Sequence, residues 1–145
     1  MNKWDGRFMA LAAHYATWSK DPSTQVGAVI VKPNNDIVSH GYNGFARGVN
    51  DSPDRLNNRD IKLAITLHAE LNALLTATQS VEGCTAYVWP MPPCSQCAAA
   101  LIQAGIKRIV APMPRDEHQA RWGDGFHLAE QMYQDAGVQL TLACG

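Results

Sequence analysis

The sequence predicts an α/β fold in three layers, a five-stranded mixed sheet with helices on both faces. Three observations predict it. Short β-branched runs alternate with stretches of helical periodicity. The 145 residues are 46% hydrophobic, enough to bury a core covered on both sides. The last three predicted strands are each separated by a helix, the arrangement that right-handed crossovers turn into parallel neighbours.

Taken in order, Phe8, Leu11, Ala12, Tyr15 and Trp18 fall at three- and four-residue steps and mark an opening helix that Asp21-Pro22 ends. Val26 to Val31 and Ile37 to Tyr42 are β-branched runs joined by Pro33-Asn34-Asn35, and read as a hairpin. From Asn43 to Asp60 the chain turns polar, without usable periodicity, and reads as a long functional loop. Leu67, Leu71, Leu74 and Leu75 mark a helix, Thr85 to Trp89 a strand, Cys97 to Ala104 a helix and Arg108 to Ala111 a strand. A helix from Phe126 to Asp135 closes at Ala136-Gly137, and Val138 to Leu142 makes the last strand. No repeat or linker divides the chain, so residues 1–145 read as one domain.

Charge and composition narrow the function. Twelve Lys+Arg against thirteen Asp+Glu give a formal charge of −1, which argues against a long nucleic acid or an anionic membrane as partner. Trp4, Asp5, Arg7, His14 and Lys20 interrupt the first twenty residues, so they lack a secretory core. No apolar run reaches the length that spans a bilayer. A cytoplasmic protein is expected.

Two segments carry chemistry: His68-Ala69-Glu70, and Pro93-Cys94-Ser95-Gln96-Cys97, each at the start of a predicted helix. The Cys-x-x-Cys spacing lets two thiolates on one helical turn reach a single Zn²⁺, and His68 would be the third ligand. Three protein ligands leave the fourth tetrahedral position to water, the arrangement of a catalytic zinc. Cys84, His40 and His118 show no ligand-like spacing, although folding could bring one of them in as a fourth. Zinc would lower the pKa of that water toward neutrality. Glu70, two residues past His68, is placed to carry the proton. Helix N-termini beside the thiolates would favour negative charge by roughly 0.3–1 kcal/mol each. Taken alone, Cys-x-x-Cys also suits a redox pair or half a zinc ribbon, but the early thioredoxin-like unit and the second Cys-x-x-Cys are missing. Cys84 and Cys144 read as small buried or terminal thiols.

The order His-x-Glu then Pro-Cys-x-x-Cys is the signature of zinc deaminases acting on nucleobases. Over most of its length the chain resembles the deoxycytidylate (dCMP) deaminases within the cytidine deaminase superfamily. The matching stretches are Ser19-Lys20-Asp21-Pro22-Ser23-Thr24-Gln25-Val26-Gly27-Ala28, Gly41-Tyr42-Asn43-Gly44, His68 to Ala73, Pro93-Cys94 with Cys97, and Gln103 to Lys107. Ala136-Gly137-Val138 also fits. The resemblance implies the cytidine deaminase-like fold and one catalytic zinc per chain on His68, Cys94 and Cys97, with Glu70 as proton shuttle. It implies that Asn43 binds the sugar and that the Ala69 backbone amide contacts the pyrimidine carbonyl. It further implies a free deoxycytidine nucleotide as substrate, dCMP first, and a homo-oligomer, hexamer or dimer. An Asn amide both donates and accepts, which suits a sugar hydroxyl, although Asn43 also reads as an ordinary turn residue.

Two features depart from the family pattern. Tyr87-Val88-Trp89-Pro90-Met91-Pro92-Pro93-Cys94 is one residue longer and rich in Pro and Trp, and the ligands of a second, structural zinc are not apparent. For a substrate phosphate the arginines near the motif-bearing loops are Arg47, Arg55, Arg59 and Arg121, with Arg47 the first choice. Arg55 and Arg59 read as solvated or paired with Asp51, Asp54 and Asp60. Trp89 and Trp122 are candidates to stack on a base or to pack in the core. Three alternatives stand beside dCMP: a related amino-heterocycle, transfer-RNA adenosine, and a non-catalytic module on the same fold. The retained Glu70 counts against the last.

Overall fold

The computed structural model describes residues 1–143, so Cys144 lies outside the described residues. Helix α1 (Lys3–Ala16) starts at Asn2, whose side chain accepts the Asp5 N–H at 2.9 Å while the Asp5 carboxylate accepts the Asn2 N–H. Two otherwise unpaired donors are thereby satisfied. The helix stops at Ala16, two residues short of Trp18, which is 51% exposed. The buried face is Asp5, Phe8, Ala12 and Ala16.

Strands β1 (Gly27–Val31) and β2 (Ile37–Tyr42) form the expected antiparallel hairpin. The polar stretch after it is not a bare loop. It holds β3 (Gly44–Phe45), α2 (Pro53–Asn57) and α3 (Arg59–Ile65), and leads into β4 (Thr66–Leu67). Asn58 caps α3 by accepting the Ile61 N–H at 3.2 Å. Leu67, expected on a helix, instead pairs with Gly44 across β3 and β4. Helix α4 (Ala69–Thr76) then buries Ala69, Glu70 and Ala73, leaving Leu75 exposed. The leucine spacing misleads because the fully buried positions of α4 are Ala69, Glu70 and Ala73, while Leu74 is only partly buried against the core.

Strand β5 (Thr85–Trp89), helix α5 (Ser95–Gln103), strand β6 (Arg108–Pro112), helix α6 (Asp116–Ala136) and strand β7 (Gln139–Ala143) complete the chain. Helix α6 begins ten residues before the expected Phe126. Its polar first turns are held by the Arg115 N–H donating to His118 Nδ1 at 3.3 Å, and it ends at Gly137 in the left-handed conformation, φ 73°.

The sheet order is β2-β1-β5-β6-β7. The pairs β5/β6 and β6/β7 are parallel, as expected, and β1 runs antiparallel to β2 and β5. Alternation along β1 sends Val29 and Val31 toward Phe8 and Ala12 of α1, and Ala28 and Ile30 toward α4, α5 and α6. Every residue of β1 is therefore buried. Both crossovers after β5 lie on one face, as right-handed connections moving the same way across a sheet require.

Candidate active site

Strand register assembles the site. Gly27 at the start of β1 faces Tyr42, the end of β2, on one side and Trp89, the end of β5, on the other. The segments that follow β2 and β5 and the one that precedes β1 therefore meet at one end of the sheet, beyond two strand carboxyl ends. Asn43 ties the segment after β2 to the one before β1: its Oδ1 accepts the Val26 N–H at 2.9 Å, its Nδ2 donates to the Thr24 carbonyl at 2.9 Å, and its own carbonyl accepts from Ser19 Oγ at 2.8 Å.

Helix α4 is pressed onto β2 at the same end. Ser39 Oγ donates to the Ala73 carbonyl at 2.8 Å and Asn72 Nδ2 to the Tyr42 carbonyl at 2.8 Å. A β-carbon at Gly41 would overlap the Ala69 carbonyl oxygen and crowd the Ala73 nitrogen. Only glycine permits that approach.

His68 is the N-cap residue of α4 and Cys94 that of α5. Cys94 Sγ accepts the Cys97 N–H at 3.4 Å, which curls both thiols around the first turn. His68 Nδ1 lies 3.5 Å from Cys94 Sγ and 3.3 Å from Cys97 Sγ, and the three donor atoms all fall within 4.8 Å of one another. Ligands at ordinary Zn–N and Zn–S lengths on a tetrahedron stand about 3.6 Å apart. One imidazole and two thiols at this spacing fit zinc. Among the described residues this is the one cluster of metal-binding type. Cys84 is buried in the core, His40 stacks on Tyr15 at 4.2 Å, and His118 serves the start of α6, so none of the three joins it.

The hydrogen bond from Cys97, then that from His68, pulls Cys94 down to about 4 against the cost of burial. Donating that bond, together with burial, pushes Cys97 above its ordinary value. Glu70, in the first turn of α4, is 5% exposed, and desolvation raises its carboxyl to about 7, with the Cys94 charge adding to the effect. A carboxyl poised there can take and return a proton at neutral pH.

These groups open into a cavity of about 130 Å³ walled by His68, Ala69, Glu70, Asn43, Met91, Pro92, Cys94, Trp122 and Phe126. The volume compares with the ~150 Å³ that admits a benzene ring. Ala69 is the first residue of α4, so its N–H has no intrahelical acceptor. The cavity's cations are Arg59, Lys62 and Arg121. Arg47, the first choice from the sequence, is exposed and does not line it. Lys62 lies between the polar stretch that ends at Asp60 and the helix marked from Leu67, where no motif singles it out. Its only signal is a three-residue spacing from Arg59, which puts both on one helix face. Trp89 walls a neighbouring hollow instead.

A three-donor metal site with a buried carboxylic acid beside it, under a ring-sized cavity, defines a metal-dependent hydrolase class. The profile of the family described as the cytidine and deoxycytidylate deaminase zinc-binding region matches residues 2–113. A deaminase of Aliivibrio fischeri from the luxG 3′ region is 46% identical over 141 residues, covering 97% of this chain and 94% of that one. The deoxycytidylate deaminase of Mus musculus is 46% identical over 114 residues, 74% of this chain. This chain spans 64% of the length of that relative. The dCMP deaminase of cyanophage S-TIM5, solved with dCMP and dUMP, superposes with a TM-score of 0.77 at 26% identity, covering 99% of each chain. The chain belongs to the cytidine and deoxycytidylate deaminase family of zinc-dependent deaminases. No helix among the described residues is long and apolar enough to cross a membrane.

Proposed function

We propose that the protein hydrolyses a free deoxycytidine nucleotide, dCMP to dUMP and ammonia, with Glu70 as proton carrier. The observation that carries this reading is the buried Glu70 carboxyl next to the His68, Cys94 and Cys97 donors at the cavity wall. The matching cyanophage structure, described as holding dCMP and dUMP, supports the choice of base and nucleotide.

His68, Cys94 and Cys97 would hold the zinc, which when bound supplies a water ionised near neutral pH. Glu70 takes the proton of the attacking water and passes it to N3 of the ring as oxygen adds to C4. A second proton through Glu70 lets the amine leave as ammonia, so water and dCMP account for both products. The Ala69 N–H, at the amino end of α4 and without an intrahelical acceptor, would donate to the pyrimidine carbonyl. Asn43 keeps one N–H and one lone pair beyond its two hydrogen bonds and can meet a sugar hydroxyl.

Ammonia release would be measured on dCMP, dCTP, deoxycytidine, CMP and 5-substituted dCMP. The expected order has dCMP or a close analogue first. No turnover of any cytosine compound would overturn the proposal.

A further inference from the structure

Lys62 is a buried ammonium in the cavity wall. Its side chain is 8% exposed, and Nζ donates to Asp21 Oδ1 at 3.0 Å and to Ser23 Oγ at 3.1 Å. The same Asp21 oxygen accepts the N–H groups of Ser23 at 2.8 Å and Thr24 at 3.1 Å. Charges taken this far from water persist when paired and fully hydrogen-bonded. Asp21 is therefore committed to the turn at 21–24 and to Lys62, and the two charges cancel. The pair pins α3 to the turn, with Arg59, one helical turn before Lys62, on the same cavity wall.

Arg121 lines the cavity from α6, its guanidinium 4.7 Å from the centre of the Trp122 ring. Ser23, Thr24, Arg121 and Trp122 also wall the neighbouring hollow, whereas His68, Glu70 and Cys94 do not. The Ser23 and Arg121 end of the cavity thus lies away from the metal donors. Farther along, Arg115 is paired with Glu117 at 3.0 Å. With Lys62 cancelled by Asp21, the cationic charge left on the cavity wall is that of Arg59 and Arg121, two guanidinium groups, which matches a phosphate monoester dianion. The planar fork of Arg suits phosphate oxygens.

We propose that Arg59 and Arg121 clamp the substrate's 5′-phosphate from opposite elements, and that Lys62 is a positioning residue that braces α3 so that Arg59 stays on the cavity wall. The clamp rests on the nucleotide reading above and names the groups that separate a nucleotide from its nucleoside. Ser23 Oγ accepts from Lys62, so its own hydrogen is free for a phosphate oxygen.

The test is calorimetric titration of 2-deoxyribose 5-phosphate into the zinc-loaded protein and into the Arg59→Gln and Arg121→Gln variants, alongside kinetics on dCMP and deoxycytidine. Both arginines are exposed, and melting curves check that the variants are folded. Each substitution is expected to weaken the sugar phosphate about 10- to 100-fold, the worth of one charge-assisted contact. KM for dCMP should rise with little change in kcat, and the dCMP preference over deoxycytidine should fall by the same factor. Lys62→Met should reduce that preference, with partial rescue by Lys62→Arg, and the arginine variants decide the matter if Lys62→Met does not fold. Equal binding of the sugar phosphate by wild type and both arginine variants, or none by wild type, would overturn the clamp. Binding that depends on both arginines, with no ammonia from any cytosine compound, would leave the clamp standing and sink the deaminase reading instead.

Discussion

His68 Nδ1 stands 3.3 Å from Cys97 Sγ, although 29 residues separate them in the chain. The contact joins the amino ends of two helices that the sheet places side by side. Cys97→Ala is therefore expected to remove one of three zinc donors and to lower bound zinc well below one per chain by elemental analysis, with loss of turnover. Full zinc content in the variant would mean that another residue completes the site.

A substitution at Glu70 separates metal binding from the proposed proton transfer. Glu70→Gln keeps the shape of the side chain but cannot accept a proton. Zinc content should stay near one per chain while kcat falls about 10²- to 10⁴-fold, the usual worth of a general acid–base group. Turnover within tenfold of wild type would refute the assigned role.

The far face of the sheet holds a second buried carboxylate. Asp5, 1% exposed, accepts from Arg108 Nη1 at 2.9 Å and Nη2 at 2.8 Å and from Tyr87 Oη at 2.7 Å. Arg108 above all holds its carboxyl down to about 2, with Tyr87 assisting, against the cost of burial. The folded value lies below the unfolded one, so this stabilisation is fully present above about pH 4 and is lost as pH falls from 4 to 2. It amounts to about 2 kcal/mol. Asp5→Asn should lower the melting temperature at pH 7 and flatten its decline across that acid range. An unchanged acid profile would contradict the assignment.

Gly27 lies under α1, where an added β-carbon would strike the Ala12 carbonyl oxygen and the Ala16 nitrogen, both backbone atoms of the helix. Gly27→Ala should cost about 1–3 kcal/mol by displacing α1. A denaturant midpoint equal to that of wild type would show that the helix yields freely.

Tyr133, 2% exposed, has a hydroxyl with no hydrogen-bond partner among the described residues. Burial, followed by the nearby Glu70 and cysteine charges, pushes that hydroxyl above its ordinary pKa. Tyr133→Phe removes an unpaired polar atom and should stabilise by about 1 kcal/mol, or roughly 2–4 °C in melting temperature. A lower melting temperature would reveal a partner for the hydroxyl.

The sequence showed most plainly those parts whose signal is local. The hairpin, strands β5 to β7 and the His68, Glu70, Cys94 and Cys97 constellation each follow from spacing or turn chemistry. Elements held by distant contacts were harder to see. The close approach of Ala69 and Ala73 of α4 is permitted by Gly41, nearly thirty positions upstream, so its leucines gave the wrong start. The early turns of α6 carry Gly123 and Gly125 and polar side chains, and their helical state rests on capping and packing. Arg47 and Arg59 are alike as sequence. The Lys62–Asp21 pair, spanning 41 residues, ties the helix that carries Arg59 to the turn at 21–24.

The Asp5–Arg108 contact also sets a schedule. Arg108 leaves the ribosome 103 residues after Asp5, roughly 5–20 s later at ordinary elongation rates. Until then the Asp5 carboxylate lacks its guanidinium partner, although β1 and β5, on which Phe8 and Ala12 pack, are already made. The ion pair that locks α1 to the sheet is thus one of the later contacts open to the growing chain.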